Sequence, residues 1–280
     1  MKNLIYTGLM ILAFLSCNNR QNNATGNVIN EAIDTILSFD YRTPVNVSPG
    51  GFLVFEGTIN DSIQLDILFD TGCAYREILV SDSLKNILNA DSGSVQIEKY
   101  KKEMGIQHVD FPAFYNMFGK NTAVVGWTFF ENKIIAISYQ NRHVKILDKT
   151  DPNPDSIKVN RRQYRDGVYL TIPVKFHIQG KVIVKEVILD TGFNGTFMVP
   201  YDWAEQNHIK TESIVHSLSS NLMQYFVSSD SVTIGNLNQY DVPVHFAKVS
   251  FAGLIGNAVL EKYDIMLDLK NYYLYLKPDK

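Results

Sequence analysis

Two stretches of this chain carry the same pattern in the same order, and that internal repeat constrains the fold more than any other feature. Ile63-Gln-Leu-Asp-Ile-Leu-Phe runs into Asp70-Thr71-Gly72, and Ile183-Val-Lys-Glu-Val-Ile-Leu runs into Asp190-Thr191-Gly192. Each is an apolar, strand-like run broken by the same tripeptide, with the two aspartates 120 residues apart. Downstream, Val124-Val125-Gly126-Trp-Thr-Phe-Phe130-Glu131 aligns without a gap on Leu254-Ile255-Gly256-Asn-Ala-Val-Leu260-Glu261. The match continues with Ile135 to Ile137 against Ile265 to Leu267, Asn141 against Asn271, and Val144 to Ile146 against Leu274 to Leu276. Both copies read as a buried strand ending at glycine, a short helical turn, and two strands joined at an asparagine. The expected organisation is two similar lobes, at 28–150 and 165–280. A linker at 151–164 joins them, marked by Asp151-Pro152-Asn153-Pro154-Asp155.

The composition fits β structure. Tyr (15) and Phe (16) are plentiful, and runs such as Tyr-Tyr-Leu-Tyr-Leu favour strands. No long amphipathic helix is evident; short helical candidates follow each tripeptide strand, near Ser81–Leu88 and Tyr201–Asn207. The expected class is all-β with few short helices. A net charge of −3, with 20% charged residues, gives no basic excess for a nucleic-acid partner.

The first residues are set apart from the fold. Lys2 precedes an apolar stretch, Leu4 to Leu15, too short to span a bilayer as a helix, and Ser16-Cys17 and an Asn/Gln-rich run follow. This reads as an export signal. A small residue before a cysteine at the end of the apolar region resembles a bacterial lipoprotein signal. By that resemblance 1–17 is a signal ending in a lipidated Cys17, 18–27 is a tether, and the protein is exported and membrane-anchored in the cell envelope. The alternative is a plain signal peptide with an incidental cysteine. Cys73 is the only other cysteine, so a lipidated Cys17 leaves it without a disulfide partner.

A single Asp-Thr-Gly is most simply a turn, as Asp91-Ser92-Gly93 is read here, with no apolar strand before it. Two copies, each after an apolar run and each followed by apolar-apolar-Gly, carry more. At this point the sequence resembles the pepsin and retropepsin clan of aspartic peptidases, over nearly the whole chain after the signal. The resemblance implies two retropepsin-like closed β-barrel lobes with the active site between them. It implies that Asp70 and Asp190 are the catalytic pair and that a peptide or protein is the substrate. Thr71 and Thr191 would brace the loops, Gly72 and Gly192 would let the backbone approach the carboxylates, and Gly126 and Gly256 would pack behind them. A simple turn remains the alternative for the glycines.

Two carboxylates brought together share one proton, so one can activate water while the other donates to the scissile carbonyl. No metal or cofactor is required. Cys73 and Phe193 stand where the clan has Ala, Ser or Thr. Cys73 reads as a small buried residue, and Phe193 either narrows the cleft or turns outward. A lid is sought between Val95 and Gln107, with Tyr100 and Gly105 as lid and hinge. The six histidines form no metal-ligand spacing. Asp268 reads as a turn support, and Arg161, Arg162 and Arg165 as a solvated face. The leading expectation is a monomeric endopeptidase. The alternatives are an inactive peptide-binding or structural envelope lipoprotein of the same fold, and a domain-swapped dimer.

Overall fold

The structure, a computed structural model, describes residues 35–42, 50–110, 118–119, 121–149, 155–164, 167–214 and 224–278. The signal, Cys17 and the tether lie outside these residues. The first lobe supplies β1 (Thr35–Ser38), β2 (Asp40–Arg42), β3 (Phe52–Ile59), β4 (Ile63–Asp70) and β5 (Ile78–Ser81). It continues with β6 (Ser92–Ile97), β7 (Tyr100–Val109), β8 (Thr122–Gly126), β9 (Ile134–Ser138) and β10 (His143–Leu147). After β11 (Ile157–Lys158) and β12 (Asn160–Tyr164), the second lobe begins with β13 (Gly167–Ile178), β14 (Lys181–Leu189) and β15 (Phe197–Pro200). Then come β16 (Glu212–Ile214), β17 (Gln224–Ser228), β18 (Ser231–Ile234), β19 (Leu237–Tyr240) and β20 (Pro243–Ala247). The chain closes with β21 (Gly253–Ile255), β22 (Tyr263–Asp268) and β23 (Tyr273–Pro278). Helices are short: α1 (Tyr201–Gln206), α2 (Asn257–Leu260), and 3-10 turns at Asp82–Leu84 and Trp127–Phe130.

The fold is all-β and retropepsin-like. In the first lobe, β3-β4-β8-β5-β7-β6 form a barrel that closes where Thr58 and Ile59 of β3 pair with Gln96 and Val95 of β6. Side chains alternate along each strand, so Leu53, Phe55 and Ile59 of β3 and Leu65, Ile67 and Phe69 of β4 fill the interior. The second lobe repeats the order as β13-β14-β21-β15-β20, with β18 returning to β13. There the counterpart of β7 is broken into β19 and β20, with Asp241 at φ 53° between them. Pro173 lies inside the long β13 without disturbing it. On the edge away from β14, β12 pairs up to Thr171 and β18 begins at Val174, so no partner there needs an N–H from Pro173.

A six-stranded sheet, β1-β10-β9-β22-β23-β11, joins the lobes. At its centre β9 and β22 run antiparallel, with Ala136 opposite Met266, Ile135 opposite Leu267 and Ile137 opposite Ile265. These are equivalent positions of the two repeats, so the sheet is symmetric about the Ala136–Met266 pair. Buried Ile135, Ile137, Ile265, Leu267 and Leu274 belong to the same apolar cluster as both barrel interiors. The stretch read as a linker is partly ordered into this assembly: β11 pairs with β23, and β12 pairs with β13. The tripeptide read as a surface turn, Asp91-Ser92-Gly93, instead leads into β6, with Ser92 opposite Gly105 and Gly93 opposite Met104. Asp268 supports its turn as expected, its Oδ1 accepting from the amides of Lys270 and Asn271 at 2.9 Å each.

Truncating a side chain at the centre of the shared sheet leaves a cavity that neither barrel can fill. Leu267→Ala, at a fully buried site, is expected to cost about 2–5 kcal/mol. Urea unfolding followed by fluorescence and by circular dichroism checks this, and the two probes should still report one transition.

Candidate active site

Each tripeptide sits where a parallel strand pair ends. Asp70 closes β4 opposite Gly126 of β8, and Leu189 ends β14 opposite Ile255 of β21. The chain then turns sharply: Cys73 N donates to Asp70 O at 3.0 Å, and Phe193 N donates to Asp190 O at 3.2 Å. Both turns rest on the later glycines. A Cβ on Gly126 would lie 2.3 Å from Cys73 O, and one on Gly256 would lie 2.4 Å from Phe193 O. Any side chain there would push the loop off its seat, which explains the spacing of the second paired motif.

The two loops are tied across the lobe boundary by reciprocal hydrogen bonds. Thr71 N donates to Thr191 Oγ1 at 2.9 Å, and Thr191 N to Thr71 Oγ1 at 3.0 Å. Each hydroxyl in turn donates to a carbonyl of the other lobe, Thr71 Oγ1 to Leu189 O and Thr191 Oγ1 to Phe69 O, both at 2.8 Å. All four bonds are buried, where an unmade partner costs most. The result brings Asp70 and Asp190 side by side. Gly72 N donates to Asp70 Oδ1 at 2.8 Å, joined by Cys73 N at 3.1 Å, and Gly192 N donates to Asp190 Oδ1 at 2.9 Å. A Cβ on Gly72 would fall 2.4 Å from Cγ of Asp190, and one on Gly192 would fall 2.2 Å from Cγ of Asp70. Each glycine therefore forms the floor beneath the opposite carboxylate.

Asp70 and Asp190 are only 3% and 4% exposed. Burial raises the proton affinity of both above the usual carboxylate range. At Asp190 the neighbouring Asp70 charge adds to that effect, while at Asp70 the hydrogen bond from Asp190 and the loop amides oppose it. The pair therefore holds one proton between two buried oxygen pairs well above the pH at which a free carboxyl loses it. Among the described residues, no group of three or more His, Cys, Asp or Glu is placed to hold a metal ion.

Cys73 is buried against Val54, Leu68, Leu79 and Val124. Phe193 turns inward, packed beneath its own loop against Ile188, Met198 and Leu254, with its ring where a Cβ on Gly195 would stand. The lid expected at Tyr100 and Gly105 is corrected by their position. Both lie within β7, in the barrel wall. Tyr100 is buried, donates to Phe129 O at 3.1 Å and packs edge-on against the Phe129 ring, and Gly105 lies against Glu77. The alternation of the strand turns that tyrosine toward the core. Of the basic cluster, Arg161 and Arg162 are exposed and Arg165 lies outside the described residues; Arg162 pairs with Glu186, and the Arg161 guanidinium lies over the rings of Trp127 and Tyr272.

Sequence reasoning missed the residues after the second glycines. Trp127 Nε1 donates to Val168 O at 3.0 Å, and Asn257 Nδ2 donates to Gly51 O at 2.7 Å. Equivalent positions thus hold the opening of the other lobe's first long strand. Tyr41 adds to this contact, accepting from Gly51 N at 2.6 Å and donating to Glu261. The signal available was the gapless alignment of Gly126-Trp127 on Gly256-Asn257, both with side-chain N–H donors.

Two stability effects of pH follow. The dyad carboxyls hold protons more tightly folded than unfolded, so the stability they contribute is complete below the ordinary carboxylate range and is lost as pH rises through the raised values. Asp190→Asn is expected to raise the melting temperature at pH 7 by at least about 2 °C, the effect of ~1 kcal/mol in a chain of this size, and to give no gain at pH 3. His245, on β20, behaves oppositely. Burial lowers its pKa from 6.5 to about 4, so the unfolded chain takes up the proton first and stability falls as pH drops through that window. His245→Phe is expected to flatten this fall, measured by thermal melts between pH 7 and pH 4.

Residues 174–259 match a protein-family model described as Aspartyl protease. No curated protein matches the chain. The matched segment contains Asp190-Thr191-Gly192 and Gly256 of the second lobe, and with the paired geometry above it supports the aspartic peptidase family.

Proposed function

We propose that this chain is an aspartic endopeptidase in which Asp70 and Asp190 activate one water between them. The observation that carries this reading is the pair of buried carboxylates held together by reciprocal threonine hydrogen bonds across two repeats. The ionised member takes a proton from water as it attacks the peptide carbonyl. The protonated member donates to the carbonyl oxygen, and collapse of the tetrahedral intermediate sends a proton to the leaving amine. No step needs a covalent enzyme intermediate. Gly72 and Gly192 keep each carboxylate in place through their amides, so little reorganisation accompanies the charge change. The shared six-stranded sheet supports action as a monomer, because each lobe finds its partner within the chain. Anchoring of the exported protein through Cys17 belongs to the same proposal and rests on the sequence of the first 17 residues.

A second reading is peptide binding without turnover, favoured by the depth of the two carboxyls, which are only 3% and 4% exposed. Cleavage of a mixed peptide library between about pH 3 and 8 separates the two readings. Wild type is expected to cut, while Asp70→Asn and Asp190→Asn, each folded, are expected to lose at least about a thousandfold in rate. Equal peptide binding by all three with no cleavage would leave the second reading standing.

A further inference from the structure

The two lobes support their catalytic loops almost identically, and the departure from symmetry is confined to a few atoms. Asn257 is completely buried and carries two amide protons. One goes to Gly51 O, as its counterpart Trp127 sends its single N–H to Val168 O. The other goes to Thr191 O at 2.7 Å. An indole has no second proton to give, and no side chain among the described residues donates to Thr71 O at the equivalent place. The two acceptor carbonyls fix the orientation of the Asn257 amide, leaving Oδ1 to accept from Tyr139 Oη at 2.8 Å. Tyr139 comes from the first lobe; its counterpart in the second copy is Leu269, which has no hydroxyl.

Thr191 C=O and Gly192 N–H are two ends of one peptide group, and that N–H donates to Asp190 Oδ1 at 2.9 Å. An unbroken series therefore runs from Tyr139 O–H to the Asn257 amide, to the Thr191–Gly192 peptide, to the Asp190 carboxylate. Hydrogen bonds in series polarise one another, and the buried setting leaves that effect unscreened. We propose that Tyr139 and Asn257 are positioning residues that strengthen the Gly192 N–H donor and so favour the ionised form of Asp190, the carboxylate to which that N–H donates at 2.9 Å. This deepens the dyad reading above and rests on it. It means that a tyrosine of one lobe helps set the proton balance at the aspartate of the other.

Other ionisable groups face both ends of the series. Asp190 is faced by Asp70 and by the buried Cys73 thiol, and Tyr139 by Tyr41 and Glu261. Removing one hydroxyl leaves all of these in place. Tyr139→Phe keeps the ring that packs edge-on against Phe39 and Tyr41 and deletes only the donor.

The test is a carbon-13 NMR titration of the aspartate carboxyls in the full chain, with the Asp190 signal assigned by its loss in Asp190→Asn. In Tyr139→Phe the step in which Asp190 ionises is expected to move up by about 0.3–0.5 pH unit, a two- to threefold gain in proton affinity. Asn257→Ala is expected to move it further in the same direction. Trp127→Phe breaks the equivalent cross-lobe bond outside the series and is expected to leave the step within about 0.1 unit. An unmoved Asp190 step in both Tyr139→Phe and Asn257→Ala overturns the proposal, and so does an equal shift in Trp127→Phe. The titration needs no turnover, so a chain that never cuts peptide fails the cleavage test yet still shows whether the Asp190 step moves.

Discussion

Four buried hydrogen bonds between Thr71 and Thr191 and the strands behind them hold this structure to its plan. Each threonine uses both backbone N–H and side-chain hydroxyl across the boundary, so neither loop keeps its shape unless the other is present. A valine at Thr71 would fill the space but leave the Leu189 carbonyl and the Thr191 amide unmatched, at about 1–3 kcal/mol for each group. The barrels and the shared sheet deliver the two loops to this junction. The later glycines let the loops sit deep enough to meet.

The cost of that depth falls on the carboxyls. Two acids in a dry site resist ionisation, and the chain meets this with amide donors that need no motion when the charge appears. The Gly72, Cys73 and Gly192 amides are fixed by the same turns that place the acids. Chemistry and local fold are thus one arrangement: the turn that reverses the chain after each strand also aims its N–H groups at the carboxylate.

Much of this was legible in the sequence because the repeat doubles every signal. Asp70, Thr71 and Gly72 gain meaning only beside Asp190, Thr191 and Gly192, and the alternating apolar runs before them mark the strands. Features without such doubling were read less well. Tyr100 and Gly105 are expected as lid and hinge, yet strand alternation places that tyrosine against Phe129 in the core. The strands at Ile157–Lys158 and Asn160–Tyr164 were hidden behind the prolines that precede them. Asn257 could be aligned with Trp127, but their common task depends on which carbonyl lies within hydrogen-bond reach, and residue type alone does not specify that.

The glycine floors also bear on the life of the chain before it is complete. Because Gly72 supports Asp190 and Gly192 supports Asp70, each half of the site is walled by the other half of the protein. A chain that has folded only its first lobe, or has been clipped between the lobes and lost one, holds a single carboxyl with no floor and no partner to share a proton. Such a fragment has no means to activate water. The paired site therefore exists only when both lobes are folded against each other, and a lone lobe carries one carboxyl without the floor that the other lobe supplies.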